Sequence, residues 1–404
     1  MRNAFIFSPG LDGHRQVYVF VLAHVLEELD FKIHIAANLS QNISNSFFID
    51  KLKKKPGITI IDTGKYAEGG LKITNLEFLE LQKKYLIDLT IFPEADHHIS
   101  LLVSQIPKNK NRFRGKLIGI FLRPFYYYNN LGLVDKLRYL KNLPSRWDID
   151  NRLFHEVLLP RFSLLDKALF IDENFVTHHK FGIWLPDVFQ QYADQVVQNE
   201  KSEQRIWIER LNDFIMKNYG RFPFLYFGTA QYRRGYDILL KMAVENDGCF
   251  IHCGLVNLNE PYVYDIAGLR NSLIKKGHLF ETNQFIEDPL CIESFFNSVT
   301  HLVLPYRDFF GSSGVMLQSL SYGIPVLAPE NGIIGYRINK YQLGVTYKSE
   351  NPDSLYTQFN YFKELDSKKF RNNIKSYMNF QTAGQLKKAL IRVFTCEGEP
   401  IKHP

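Results

Sequence analysis

Gly228 closes an apolar run at residues 224–227, and Arg233 and Arg234 follow it just before Gly235. A glycine turn with cations close behind suits a diphosphate. A guanidinium forks onto two phosphate oxygens, and in a water-poor site it stabilises the charge that builds as a nucleoside diphosphate departs. The same arginines also suit a solvated helix start. A second loop, residues 306–313, leaves the apolar run 302–304 at Pro305, begins with Tyr306 and carries Gly311, Ser312 and Ser313, then Gly314. Serine there can cap a helix whose unpaired first-turn N–H groups and positive dipole end attract a phosphate or sugar oxygen. Many strand–loop–helix units have such small residues and bind nothing, so the surrounding pattern has to decide.

Three titratable residues, Glu94, Asp96 and His97, follow the apolar run 87–92. Any of them can bind a hydroxyl or take its proton. A solvated loop is the competing reading. Arg123 stands after the run 117–122, and the aromatic residues 125–128 behind it suit sugar stacking, lipid contact or ordinary packing. Asp148 and Asp150 have a metal-site spacing, but they precede a helical pattern and read as helix-start acids. Cys249 and Cys253 flank His252 in an apolar run, where buried thiols are the plainer reading than a metal site. The pairs His97, His98 and His178, His179 lack a third ligand at convincing spacing, so no metal is expected. Neither a nicotinamide fingerprint nor a Walker loop occurs.

Composition narrows the class. The 404 residues are 45% hydrophobic and 23% charged, which gives two globular domains with full cores. The net charge of +7 is mild and suits an anionic small ligand or membrane surface. No zinc-finger, helix-turn-helix or RNP-type motif accompanies it, so nucleic acid is not an expected partner. Four cysteines confined to the second half do not make a disulfide framework and suit a reducing compartment. Residues 1–10 lack the apolar core of a secretory leader, and residues 17–26 are too short to span a bilayer. A cytoplasmic location is expected. Basic stretches at residues 51–55, 108–116 and 136–146 suit either solvated surface or peripheral attachment to anionic lipid at the inner membrane face.

The elements that must position these residues alternate. Strands are expected at residues 4–7, 32–36, 58–61, 87–92, 117–122 and 168–171, with helices such as 15–29 between them. Residues 190–220 turn polar and read as a linker plus a helix at 202–218. Alternation then restarts, with strands at 224–227, 250–252, 279–282, 302–304 and 326–328. Helices are expected at 236–244, 262–275, 290–298 and 314–322, and one helical segment at 367–394. This is an α/β chain of two doubly wound units, in which ligands bind beyond the carboxyl ends of the strands.

Residues 302–346 resemble the C-terminal signature of GT-B transferases, especially glycosyltransferase family four. The order of Pro305, the Gly311 to Gly314 turn, Gln318, the run Gly323, Ile324, Pro325, Val326, and Gly332 carries the resemblance. Residues 224–240 resemble the first strand and helix of that family's nucleotide domain. Gly228 matches its turn glycine, and Arg234 with Gly235 matches its Lys-Gly pair. Gly10 to Gly13 with His14 resemble the family's first glycine-rich loop. Asp187 stands where the family turns into its linker.

The resemblance implies a GT-B fold, two Rossmann-like domains facing a central cleft. It implies an acceptor-side domain at 1–190, a linker and helix at 191–220, a nucleotide-sugar domain at 221–380, and a C-terminal helix at 381–404 returning to the first domain. The implied activity is transfer of a sugar from a nucleotide-sugar to a hydroxyl acceptor: a glycan, a lipid-linked sugar or a small molecule. Anomeric configuration would be retained, with neither metal nor cofactor. Gly13, His14, Gly228, Thr229, Arg233, Arg234, Tyr306, Gly311, Ser312, Ser313, Gly314, Val315 and Gln318 would bind the donor. Asp308, Glu94, His97 and Arg123 would serve catalysis. The chain departs from the family at three places. Phe310 and Gln318 stand where the family has a spaced pair of glutamates, and Thr229 replaces an arginine. Asp308 can take the first role through a longer loop, and Gln318 can still bond a ribose hydroxyl. Arg233, Lys241 or Arg307 can replace the lost cation. The alternatives are an epimerase or hydrolase of sugar nucleotides on the same fold, or a non-catalytic binding or scaffold protein.

Overall fold

The computed structural model describes residues 2–9, 15–38, 52–63, 75–104, 113–122, 154–188, 203–221, 223–286, 288–307, 309, 311–349 and 351–395. The chain divides into two compact units, Met1–Gln190 with Phe380–Pro404, and Gln191–Asn379.

In the first unit the described strands are β1 (Arg2–Phe7), β2 (Phe31–Ala37), β3 (Ile58–Asp62), β4 (Leu89–Phe92), β5 (Lys116–Phe121), β6 (Lys167–Phe170) and β7 (Gly182–Trp184). They form one sheet in the order β3-β2-β1-β4-β5-β6-β7, and every pairing is parallel. Near-continuous apolar strands such as Ala4 to Phe7, fully buried, are what a sheet covered on both faces requires. Strand order reverses between β1 and β4. Loops leaving the carboxyl ends on either side of such a reversal diverge and leave a crevice.

The second unit repeats the plan with β8 (Phe224–Phe227), β9 (Phe250–Cys253), β10 (Leu279–Glu281), β11 (Leu302–Val303), β12 (Val326–Pro329) and β13 (Gly344–Tyr347). Their order is β10-β9-β8-β11-β12-β13, again all parallel. The reversal here falls between β8 and β11.

Residues 367–394 hold two helices. Helix Lys368–Met378 ends in the second unit, and helix Ala383–Thr395 belongs to the first. Thr382 Oγ1 accepts from Gln385 N at 3.2 Å, and a threonine three residues before glutamine is the sequence form of a helix start. The last helix buries Leu386, Ala389, Leu390 and Val393 in the first unit's core. Lys387 pairs with Glu28 at 2.6 Å, and Lys167 Nζ donates to Val393 O at 2.6 Å. Strands β7 and β13 and helices Gly332–Tyr341 and Pro352–Glu364 also lie beyond the expected elements. Among the described residues, no helix is long and apolar enough to cross a membrane.

Candidate functional site

The reversal in the second unit brings together the loops after β8 and β11. Gly228 holds φ at +105°, and an added Cβ would sit 2.1 Å from Arg234 Nη1. The backbone conformation favours glycine, and the Arg234 guanidinium occupies the place where a Cβ would be. Arg234 is half-buried, and among the described residues no carboxylate pairs with it. Gly235, with φ at +64°, has no room for a Cβ, which would meet Pro305 O at 1.8 Å. Arg307 N donates to Arg233 O at 2.9 Å, so the two loops are bonded to each other. Arg233 is exposed and Thr229 half-buried beside them.

Of the three proposed substitute cations, Arg307 and Lys241 are already paired. Arg307 is buried and forks onto Asp237, at 2.7 and 2.9 Å, while stacking over Tyr232 at 4.3 Å. Its charge is spent fixing the helix Tyr236–Glu245 to the β11 loop. Lys241 pairs with Glu245 at 2.6 Å on that helix's outer face.

The second loop ends in helix Gly314–Ser321. Ser313 is its cap: Oγ accepts from Met316 N at 3.2 Å and lies 3.3 Å from the Tyr306 hydroxyl. Ser313 is buried, so its hydroxyl serves the fold. What the helix entrance offers a ligand is the backbone N–H of half-buried Gly314 and Val315, for which the helix has no carbonyl. Ser312 Oγ accepts from Nη1 of the fully buried Arg337 at 3.1 Å, which anchors the loop from below; Gly311 is buried beside it. Gln318 is buried, and its amide has no hydrogen-bond partner among the described residues.

Beneath Gly228 lies a network that the sequence reading missed. Gly228 O is 3.1 Å from Nε2 of the buried His252. His252 Nδ1 is 3.6 Å from Glu281 Oε1. That carboxylate also accepts from Tyr236 at 2.6 Å and from Arg270 at 2.9 and 2.7 Å. Buried as it is, Glu281 is held down at about 2 by the hydrogen bonds of His252, Arg270 and Tyr236, which outweigh the cost of burial. The flanking Cys249 and Cys253 are free buried thiols, and burial pushes Cys249 up to about 12.

In the first unit, the segment after β4 is ordered: a 3-10 turn, Ala95–His98, runs into helix Ile99–Val103. Glu94, Asp96 and His98 are buried, which corrects the solvated-loop reading. Glu94 Oε1 is 2.8 Å from His97 Nε2. Asp96 Oδ2 accepts from Leu122 N at 2.7 Å and its Oδ1 lies 3.9 Å from His155 Nε2, so this acid holds the end of β5. The Glu94 carboxylate beside Nε2 orients the His97 ring.

Gly13, His14, Arg123 and Asp308 lie outside the described residues, as do Phe310, the aromatic residues 125–128, Asp148, Asp150, Cys396 and the basic stretch 136–146. Among the described residues, no group of three or more His, Cys, Asp or Glu is arranged to hold a metal ion.

No protein-family model matches the chain, and no curated protein sequence does. Solved structures do. Sucrose-phosphate synthase of Thermosynechococcus elongatus is 12% identical, with 98% of this chain and 100% of that one covered at a TM-score of 0.62. HepE of Anabaena in complex with UDP is 11% identical, with 98% and 100% covered at 0.60. A putative UDP-N-acetylglucosamine 2-epimerase of Listeria monocytogenes is 13% identical, with 98% of this chain covered at 0.56. The two parallel sheets, each with its strand order reversed at the centre, together with these full-length matches define a GT-B fold.

Proposed function

We propose that the chain is a glycosyltransferase that moves a sugar from a nucleotide-sugar to a hydroxyl acceptor. One observation carries this: an arginine with no carboxylate partner among the described residues lies over a positive-φ glycine turn at the strand reversal of the second unit. A guanidinium held there meets the diphosphate of a donor, and the N–H groups of Gly314 and Val315 meet its remaining oxygens. HepE, of the same fold, is a UDP complex, which favours a uridine donor.

The division of roles follows the chemistry of each unit. Gly228, Thr229, Arg233, Arg234, Tyr306, the Gly311 to Val315 loop and Gln318 hold the donor, and Asp308 takes the catalytic role that the family gives to its first glutamate. Glu94 orients His97, which takes the proton of the acceptor hydroxyl. Gly13, His14 and Arg123 complete the first unit's contribution. The family-four resemblance adds a hexosyl donor, retention of configuration and independence from metal and cofactor. Cysteine usage and the basic stretches favour a cytoplasmic site of action, at the inner membrane face, on a glycan, a lipid-linked sugar or a small molecule.

Isothermal titration with UDP, GDP and ADP tests the first step. Binding of one of them, weakened in Arg234→Ala, is the expected result; no binding of any removes the proposal. The matched putative epimerase and the amide at Gln318 favour a second reading, sugar-nucleotide epimerisation or hydrolysis. Product analysis with donor alone separates the two: a transferase leaves the donor intact until an acceptor is added.

A further inference from the structure

We infer that His252 is a positioning residue for the diphosphate turn, acting through the Gly228 carbonyl on Arg234. This rests on the proposal that the turn receives a nucleoside diphosphate. The carbonyl oxygen can only accept, so His252 Nε2 carries the hydrogen of the 3.1 Å contact. That bond fixes one face of the Gly228–Thr229 peptide. The guanidinium rests on the same residue, within 2.1 Å of where a Gly228 Cβ would be. Rotation of this peptide therefore moves the floor under Arg234.

The histidine is itself held from three directions. Tyr226 and Tyr236 pack on its ring at 5.2 and 4.8 Å. Its Nδ1 faces the Glu281 carboxylate at 3.6 Å, and Arg270 and the Tyr236 hydroxyl hold that carboxylate. Tyr236 opens the helix that follows Arg234 and Gly235, so one network grips both ends of the segment carrying the cation. Gly254 completes the device. Its φ is +151°, and a Cβ there would come 2.3 Å from Gly228 O, so the strand end passes the carbonyl only as glycine. A buried histidine with both nitrogens facing acceptors is more than the packing of an apolar strand position requires.

The side chains of glutamine and asparagine separate this role from simple packing. The glutamine amide nitrogen reaches about as far as Nε2, and that of asparagine about as far as Nδ1. Titration of the full chain with UDP is therefore run on the wild type, His252→Gln, His252→Asn, Arg234→Ala and the Asn/Ala double variant, with the melting temperature of each. The expected result is near-normal UDP affinity for His252→Gln and about tenfold loss for His252→Asn, the size of one positioned hydrogen bond to the turn. In the Arg234→Ala background the asparagine change is expected to cost little more, because its effect passes through the arginine. Equal losses for Gln and Asn that track the melting temperature, or losses that add to that of Arg234→Ala, overturn the inference and leave the proposed function standing. Wild-type chain that binds no nucleoside diphosphate overturns both. If His252→Asn does not fold, Gly254→Ala displaces the same carbonyl and is expected to weaken UDP binding similarly; unchanged affinity in that variant overturns the inference.

Discussion

The two units reverse their strand order in the same way and place opposite chemistry at the reversal. After β4, the first unit sets buried Glu94 and Asp96 with a half-exposed His97. After β8, the second sets Arg234 on a glycine turn, with a helix entrance beyond β11. Topology supplies the crevice in both, and the residues decide what enters it. An anionic, proton-accepting loop suits a neutral hydroxyl compound. A cationic loop with free N–H groups suits phosphate.

If this contrast is right, substitutions in the two units should separate turnover from donor binding. The largest effect is expected at His97. His97→Asn should lower kcat by about 100-fold or more, the usual worth of a general base, while leaving UDP affinity unchanged. Titration and steady-state kinetics on the same preparation check this, and a parallel loss of UDP binding would break the contrast. Next is Arg234→Ala, expected to weaken UDP binding by about 10- to 100-fold. That corresponds to the loss of about 1.5–3 kcal/mol of charge-assisted hydrogen bonding. The loss should shrink as salt rises.

Smaller effects sharpen the comparison through stability. Each unit buries a histidine held below the usual value of 6.5. Burial and nearby Lys32 act on His34, and burial on His301. Below pH 6.5 the unfolded chain takes up protons that these folded sites resist, so the stability they contribute is full above that pH. It falls as pH drops toward the folded values. Among the described residues, His34 has no hydrogen-bond partner at either ring nitrogen. His34→Phe should therefore flatten the acid limb of the first unit's melting curve below about pH 6.5, measured by calorimetry. The smallest expected signal is kinetic. Cys249, Cys253 and Cys291 all lie in the second unit, and burial raises each thiol. In a Cys396→Ser background, which removes the first unit's cysteine, labelling by a thiol reagent at pH 8 should be slow and should report opening of the second unit.

Much of the scaffold was legible because it is local. Buried parallel strands are apolar runs, and Ala4 to Phe7 or Phe250 to Cys253 can hardly be read otherwise. The Ser313 cap was legible for the same reason, since a cap bonds within three residues. The break at residues 379–382 has a local signal too, in Thr382 and Gln385. The rest of the site depends on distant partners. Arg307 looked like a spare cation because Asp237 is 70 residues away in sequence. His252 looked like filler between cysteines because the carbonyl it bonds lies 24 residues upstream. Solvated and buried readings of Glu94 differ only in what folds over it.

The central claim is that Arg234 and the entrance of helix Gly314–Ser321 jointly receive a pyrophosphate. A crystal structure of the chain grown with UDP tests it most directly. The expected density places the diphosphate between the Arg234 guanidinium and the N–H groups of Gly314 and Val315. Diphosphate bound elsewhere, with Arg234 turned away and those N–H groups untouched, would contradict it.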